Sequence, residues 1–182
     1  MPLAFIPKSL ASNSRSSPVT AIYLCAYAPN AVSGPPRSGS SISGTMTNHW
    51  VMYFAASPTQ SIRCDPSPTG PGNSLDLIVT SKNYDYTINA AKIMRLTPAD
   101  NLTIGHVFDH ITNSKYDKYT FSAGGQGCRF WIYSVVALLR SAGYITGNTE
   151  VNACTEALQV VWTLRGEPAP ASQQTGMAKG TF

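Results

Sequence analysis

NHWVMYF at residues 48–54 and SIRCD at residues 61–65 are separated by a short polar turn. Their β-branched and aromatic residues predict two strands that pair as a hairpin. Strand side chains alternate between two faces, which places His49 on one face and Trp50 on the other. Both faces are apolar, so we expect both to be covered. Because the chain runs out and back, Asp65 is expected near the His49 end of the hairpin.

A second motif, GCRFWI at residues 127–132, begins the clearest helix in the sequence. Apolar residues recur at helical spacing from Cys128 to about Ala142, and Gly143 stands where a C-terminal cap belongs. The apolar stripe turns Cys128 toward the sheet. A thiol at a helix N-terminus lies near the positive end of the helix dipole, which favours the thiolate form.

The remaining segments divide into strands, helices and one long loop. Apolar and β-branched runs predict a buried central strand at residues 19–27 and shorter strands at residues 75–80 and 91–96, and residues 116–122 are predicted to form a short strand or an extended segment. Helices are predicted from a start at residues 97–100 through Ile111, and from residue 148 or 149 to about Leu164. The sequence therefore predicts an α+β fold with a mainly antiparallel sheet and helices packed on it.

The domain boundaries follow from length and local composition. We expect one globular domain over residues 1–182, with peripheral arms at residues 1–18 and 166–182. Residues 28–47 are rich in Gly, Pro and Ser, and a loop of this length within a domain is usually disordered or a functional flap. Because it leads directly to His49, we expect a flap over the site.

The composition narrows the class of partner. The chain is 43% hydrophobic and 12% charged, and its formal net charge of +4 is scattered, with no basic run among aromatic residues. Nucleic acid is therefore not an expected partner. No apolar run is long enough to span a bilayer, and residues 1–18 are too polar for a secretory signal. We expect a cytoplasmic protein that acts on a small molecule, and the oligomeric state stays open.

The sequence predicts neither a metal nor a cofactor. Its four cysteines lack the paired spacing of a zinc site or a disulfide framework and are expected to be thiols. His106 and His110 have the i, i+4 spacing that lets two imidazoles share a metal, but the pattern has no third ligand. A solvated helix face explains the two histidines.

Three residues are candidate catalytic groups. Cys128 is the candidate nucleophile, His49 the base that takes its proton, and Asp65 the group that orients the imidazole. Each has a structural alternative. A cysteine is often a small core residue, a strand histidine often bonds a backbone carbonyl, and an aspartate before Pro66 often forms an Asx turn.

Five further residues are candidate substrate contacts. Gly127 lets a substrate approach a helix N-terminus, whose free N–H groups can stabilise an oxyanion. Arg129 is a candidate for binding a substrate carboxylate or for assisting the thiolate. The aromatic residues Trp50, Tyr53 and Trp131 are candidate walls of a cleft.

The order of a His-Trp strand, an acid on the next strand and a cysteine at a helix start resembles the circularly permuted papain-like proteins of the lecithin:retinol acyltransferase type. That resemblance implies a permuted papain-like arrangement. In it His49 matches the strand histidine of the family, Asp65 its polar third residue and Cys128 its nucleophile.

A closer resemblance covers most of the chain. Asn48-His49-Trp50, the motif at residues 127–132 and the ending Gly180-Thr181-Phe182 are similar to an uncharacterised family of small fungal proteins. This resemblance implies a fungal source and a role in specialised metabolism, and it implies no particular reaction.

Three functions fit these residues. The first is a cysteine-dependent hydrolase or acyltransferase acting on a carbonyl-containing small molecule. The second is a cofactor-free cyclase or isomerase of natural products that uses His49, Asp65 or Arg129 as acid and base groups beside the aromatic cleft. The third is a non-catalytic binding module in which Cys128 and His49 are core residues.

Overall fold

The computed structural model describes residues 3–29 and 47–182 and shows an α+β fold. The strands are β1 (Leu3–Ile6), β2 (Ala21–Tyr27), β3 (His49–Ser57), β4 (Gln60–Ser67), β5 (Asp76–Lys82) and β6 (Lys92–Leu96). The helices are α1 (Leu10–Asn13), α2 (Ile104–Asn113), α3 (Cys128–Ser141) and α4 (Asn148–Gln159). Most of the flap expected at residues 28–47 lies outside the described residues.

The strands form a six-stranded sheet in the order β1-β5-β4-β3-β2-β6. Only β1 pairs in parallel, with β5, and the other neighbouring strands of this sheet are antiparallel. The predicted α+β class and the mainly antiparallel sheet are confirmed. β1 forms the edge of the sheet within the segment expected to be an N-terminal arm, and it was not predicted as a strand.

Successive residues of β3 enter two different cores. Trp50 and Phe54 belong to the main core, which also contains apolar residues of all four helices. Val51 and Tyr53 belong to a smaller core on the other face of the strand, packed against tyrosines of β2 and of the β5–β6 connection. Both faces of β3 are thus covered, as the apolar pattern predicted.

The buried side chain of Asn48 fixes the start of β3. Its Nδ2 donates to the carbonyl oxygens of Tyr27, at 3.0 Å, and of Trp162, at 2.9 Å. Its Oδ1 accepts from the backbone N–H of Trp162 at 2.6 Å. These hydrogen bonds join the end of β2, the start of β3 and the segment after α4.

The first long helix begins later than predicted. A start at residues 97–100 was expected, whereas α2 begins at Ile104. Asn101 adopts a left-handed backbone with φ of 59°, which interrupts a helix. Thr103 supplies the cap instead, since its hydroxyl accepts from the backbone N–H of His106.

Two other predicted elements differ from the structure. The last helix was expected to reach Leu164, but α4 ends at Gln159. The reason is that the backbone of Trp162 pairs with the amide at the start of β3 and leaves the helix. Residues 116–122 were predicted to form a short strand or an extended segment; they begin with a 3₁₀ turn at Tyr116–Lys118, and Thr120 then forms isolated bridges.

The hydrogen bonds of Asn48 predict a large cost for its truncation. Asn48→Ala leaves a buried N–H and two buried carbonyl groups without their partner, and we expect it to lower the free energy of unfolding by about 2–4 kcal/mol. The control variant Asn89→Ala removes an exposed side-chain amide, and we expect it to change the free energy of unfolding by no more than about 0.5 kcal/mol. Urea denaturation of both variants checks this, and equal losses would contradict it.

Candidate active site

Cys128 is the first residue of α3, as predicted, and its thiol faces the start of β3. The helix begins after Gly127, whose φ of 144° is outside the range that L side chains readily adopt. The Sγ atom lies 3.7 Å from the carbonyl oxygen of Asn48, to which the thiol can donate. Cys128 is 9% exposed, so it is buried yet close to the surface.

His49, the first residue of β3, meets the hairpin acid as the chain direction predicted. Its Nε2 lies 2.6 Å from Oδ1 of Asp65. The other oxygen of Asp65 accepts from Arg63 at 2.6 Å. Because Nε2 faces Asp65, Nδ1 is the ring nitrogen left for Cys128. The side chain of His49 is 28% exposed and that of Asp65 is 15% exposed.

The pKa values of Cys128 and His49 move in opposite directions. Burial by itself raises the pKa of the Cys128 thiol, but a hydrogen bond and the charge of His49, an N–H of Trp50 and the charge of Arg129 outweigh it and lower the pKa. Burial lowers the pKa of His49, while hydrogen bonds and charges of Asp65 and Cys128 raise it to about 10. The contact between the two groups therefore favours the thiolate form of Cys128 and the imidazolium form of His49 relative to the isolated side chains.

Asp65 is held in its charged form. Burial raises the pKa of this carboxyl, but the hydrogen bond from His49, its charge and the charge of Arg63 lower it below its usual value. The carboxylate contributes stability that is present above its ordinary pKa and is lost as the pH falls through its lowered value.

A small cleft opens beside the thiol, with a cavity volume of about 10 Å³. It is lined by residues that flank the start of α3, the start of β3 and the C-terminal segment: Thr47, Gln126, Gly127, Cys128, Arg129 and Ala178. The Oγ1 atom of Thr47 is buried and has no hydrogen-bond partner among the described residues. It can therefore bond to a group held in the cleft.

Two of the predicted substrate contacts line this cleft. Gly127 packs so closely on Tyr119 that an added Cβ would lie 2.5 Å from its Oη. Arg129 is 4% exposed, and its guanidinium donates to carbonyl oxygens of Leu158, Thr175 and Gly176. The structure thus shows Arg129 engaged with the chain itself.

The other three predicted contacts form no cleft together. Trp50 and Trp131 are fully buried in the main core, and Tyr53 is fully buried in the smaller core across the sheet. Trp131 Nε1 donates to the carbonyl oxygen of Tyr116 at 2.9 Å. The prediction that Trp50, Tyr53 and Trp131 line one cleft is therefore wrong. The alternation of β3 places Trp50 and Tyr53 on opposite faces of the sheet.

Comparison with known proteins adds the family. Residues 29–182 match the family described as a domain of unknown function, DUF7770. The chain belongs to the DUF7770 family. No curated protein and no solved structure matches it. The expectation of an uncharacterised family is confirmed, and the comparisons show no resemblance to papain-like proteins or to lecithin:retinol acyltransferase.

The matched region of the DUF7770 protein contains β3, β4 and α3, and therefore Cys128, His49 and Asp65. Four neighbours of this site were not predicted: Arg63, Thr47, Gln126 and Ala178. Arg63 lies two residues before Asp65 on β4, and residues two apart on a strand share a face, so the alternation that places Asp65 beside His49 also places Arg63 on that face. Thr47 lies two residues before His49, so the same spacing of two residues could have indicated it. Ala178 has no local signal, because it reaches the cleft through long-range packing.

The described residues also bear on metals and membranes. Within residues 3–29 and 47–182 of the DUF7770 protein, no three His, Cys, Asp or Glu side chains are placed to hold a metal ion together. His106 accepts from the backbone N–H of Thr103 at the cap of α2, and His110 packs against Tyr144. None of the helices in these two ranges is long and apolar enough to cross a bilayer.

The lowered pKa predicts selective alkylation of the DUF7770 protein at Cys128. Iodoacetamide at pH 6 should modify Cys128 at least about tenfold faster than Cys25, Cys64 or Cys154. Burial raises the pKa of each of these three thiols, to about 12 for Cys25 and Cys154. Peptide mapping by mass spectrometry measures the rates.

The variant His49→Gln provides the matched test of the cause. It removes the hydrogen bond and the charge that lower the thiol pKa, so the midpoint of the pH–alkylation profile of Cys128 should rise. His106→Gln changes an exposed histidine at the cap of α2 and should leave the midpoint unchanged. A midpoint that is the same in the parent and in His49→Gln would show that His49 does not activate the thiol.

Proposed function

We propose that the protein is a cysteine-dependent hydrolase or acyltransferase acting on a carbonyl-containing small molecule. The observation that carries this proposal is the hydrogen-bonded series from Asp65 through His49 to Cys128 at the mouth of a cleft. A nucleophile, a base and an orienting acid in contact are what acyl transfer through a thioester needs.

In the proposed reaction the thiolate of Cys128 attacks the carbonyl carbon, forming a C–S bond. The N–H groups of the first turn of α3, which have no intrahelical acceptors, face the developing oxyanion. The His49 imidazolium gives its proton to the leaving group as the carbon–heteroatom bond breaks. The neutral imidazole then deprotonates water or a second nucleophile, which attacks the thioester and releases the thiolate.

Asp65 and Arg63 have supporting roles in this proposal. Asp65 holds the ring of His49 through Nε2 and stabilises the imidazolium. Arg63 holds the second oxygen of Asp65 and so fixes the direction of the carboxylate. The order of histidine strand, acid strand and cysteine helix is consistent with a circularly permuted papain-like arrangement, which we include in the proposal.

The two alternatives receive less support. A cyclase or isomerase was expected to use a cleft of Trp50, Tyr53 and Trp131, and these side chains are buried in two separate cores. A binding module with Cys128 and His49 as core residues does not account for the placement of the series Asp65, His49 and Cys128 beside a cleft. A cytoplasmic role in fungal specialised metabolism belongs to the proposal, and the free thiols are consistent with a reducing compartment.

An acyl-enzyme test needs no knowledge of the natural substrate. Incubation with p-nitrophenyl acetate should place an acetyl thioester on Cys128, detected by peptide mapping and removed by hydroxylamine. His49→Gln should slow acylation at least about 100-fold, because it removes the group that generates the thiolate. Cys128→Ala should abolish it.

The control for this test is Cys154→Ala, which removes a thiol buried in α4 and should acylate like the parent. The proposal is contradicted if Cys128→Ala releases p-nitrophenol as fast as the parent. Acetyl groups found only on lysines would contradict it as well.

A further inference from the structure

The C-terminal segment, residues 174–182, runs past the N-terminus of α3 and is held at both ends. At its start the side chain of Gln174 donates to the carbonyl oxygens of Ala169, at 2.7 Å, and Val161, at 3.1 Å. It also accepts from the backbone N–H of Val161 at 2.8 Å. The amide group of Gln174 therefore fixes this segment to the chain that follows α4.

Arg129 holds the next part of the C-terminal segment. Its guanidinium donates to the carbonyl oxygens of Thr175, at 3.0 Å, and Gly176, at 2.9 Å. These acceptors are neutral, and burial lowers the pKa of Arg129, opposed by the charge of Cys128. Arg129 thus joins the segment to the nucleophile's helix and leaves these donors unavailable to a substrate carboxylate.

The far end of the C-terminal segment is held by Tyr119. The backbone N–H of Gly180 donates to Tyr119 Oη at 2.8 Å, and that hydroxyl donates to the carbonyl oxygen of Gly127 at 3.2 Å. An added Cβ at Gly180 would lie 2.1 Å from the carbonyl oxygen of Thr120. The glycine of the Gly180-Thr181-Phe182 motif therefore has a structural role, because any side chain at position 180 would collide with the backbone of Thr120.

Ala178 lies between these two attachments and lines the cleft beside Cys128. The cavity volume of the cleft is about 10 Å³, about what one water molecule needs. With the C-terminal segment in place, the cleft therefore admits only small groups beside the thiol. Among the described residues of the lining, Arg129 is the one fixed cation; its Nη2 already bonds the C-terminal segment and its Nη1 donates to the carbonyl oxygen of Leu158.

We propose that the C-terminal segment is the wall that sets the specificity of the Cys128 cleft, restricting it to esters or thioesters of short, uncharged acyl groups. This inference rests on the proposed function. Arg129 acts in it as a positioning residue that keeps the segment closed over the thiol, and Gly180 permits the contact that holds the far end.

The test compares two alkylating reagents of different size at Cys128. Iodoacetamide is small, and N-pyrenyl iodoacetamide carries the same reactive group on a large uncharged ring system. With free cysteine as the reference, the parent should discriminate against the pyrenyl reagent at least about tenfold. Arg129→Gln and Gly180→Ala should each reduce this discrimination at least about tenfold, while Arg165→Gln, at an exposed arginine, should not change it.

The size ratio separates the wall from the chemistry. A change in thiol reactivity alters both rates together, whereas opening the wall alters their ratio. If Arg129→Gln fails to fold, Gly180→Ala decides the result, because it loosens the far end without touching the guanidinium. The ratio of the acylation rates with p-nitrophenyl acetate and with p-nitrophenyl hexanoate should rank the variants in the same order.

Two results would overturn the inference. One is a parent that shows the same reagent ratio as free cysteine. The other is a ratio that stays unchanged in the folded variants. By contrast, slow reaction of Cys128 with both reagents at pH 6, with the discrimination between them intact, would contradict the proposed thiolate and leave the wall supported.

Discussion

The buried amide of Asn48 is the constraint on which the end of the sheet depends. It hydrogen-bonds to backbone groups of Tyr27 and Trp162. The last residue of β2, the first residue of β3 and the chain after α4 are thereby held close together. Burial makes this arrangement rigid, because each of these polar groups would be costly without a partner. His49 is the next residue, and its position is therefore set by its neighbour.

Beside Asn48, four ionisable side chains of alternating charge lie next to one another. Arg63, Asp65, His49 and Cys128 follow one another as cation, anion, cation and anion once the thiol has lost its proton. Each ion faces an opposite charge, which reduces the cost of burying it. Arg129 adds a cation beside Cys128 that favours the thiolate form, and the same arginine holds the C-terminal segment, which lines the cleft through Ala178.

Local periodicity explains why much of the fold was predictable. Strands β2 to β6 and helix α3 were expected close to their actual bounds, because their apolar patterns are strong and their ends carry glycine or turn residues. β1 was missed, since a parallel edge strand depends on a partner far along the chain. The early start expected for α2 overlooked Thr103, a second cap within a few residues of the first.

The candidate site was predictable where it depends on short-range geometry. The hairpin returns Asp65 to His49, and the apolar pattern places Cys128 at the start of α3, so each of these placements follows from local sequence. The meeting of His49 with Cys128 depends on how α3 packs on β3, which the residues alone do not specify. The aromatic cleft failed for two reasons: strand alternation sends Trp50 and Tyr53 to opposite faces of β3, and packing of the whole core buries Trp50 and Trp131.

The protonation state of His49 tests the central claim most directly. NMR titration of its imidazole, one of three in the chain, reports the pKa without any substrate. The ion pair predicts a histidine that stays protonated through neutral pH and loses its proton near pH 10. The same measurement on Cys128→Ala should give a lower pKa, because the thiolate partner is gone. An imidazole that titrates at or below its ordinary value of 6.5 in the parent would contradict the account.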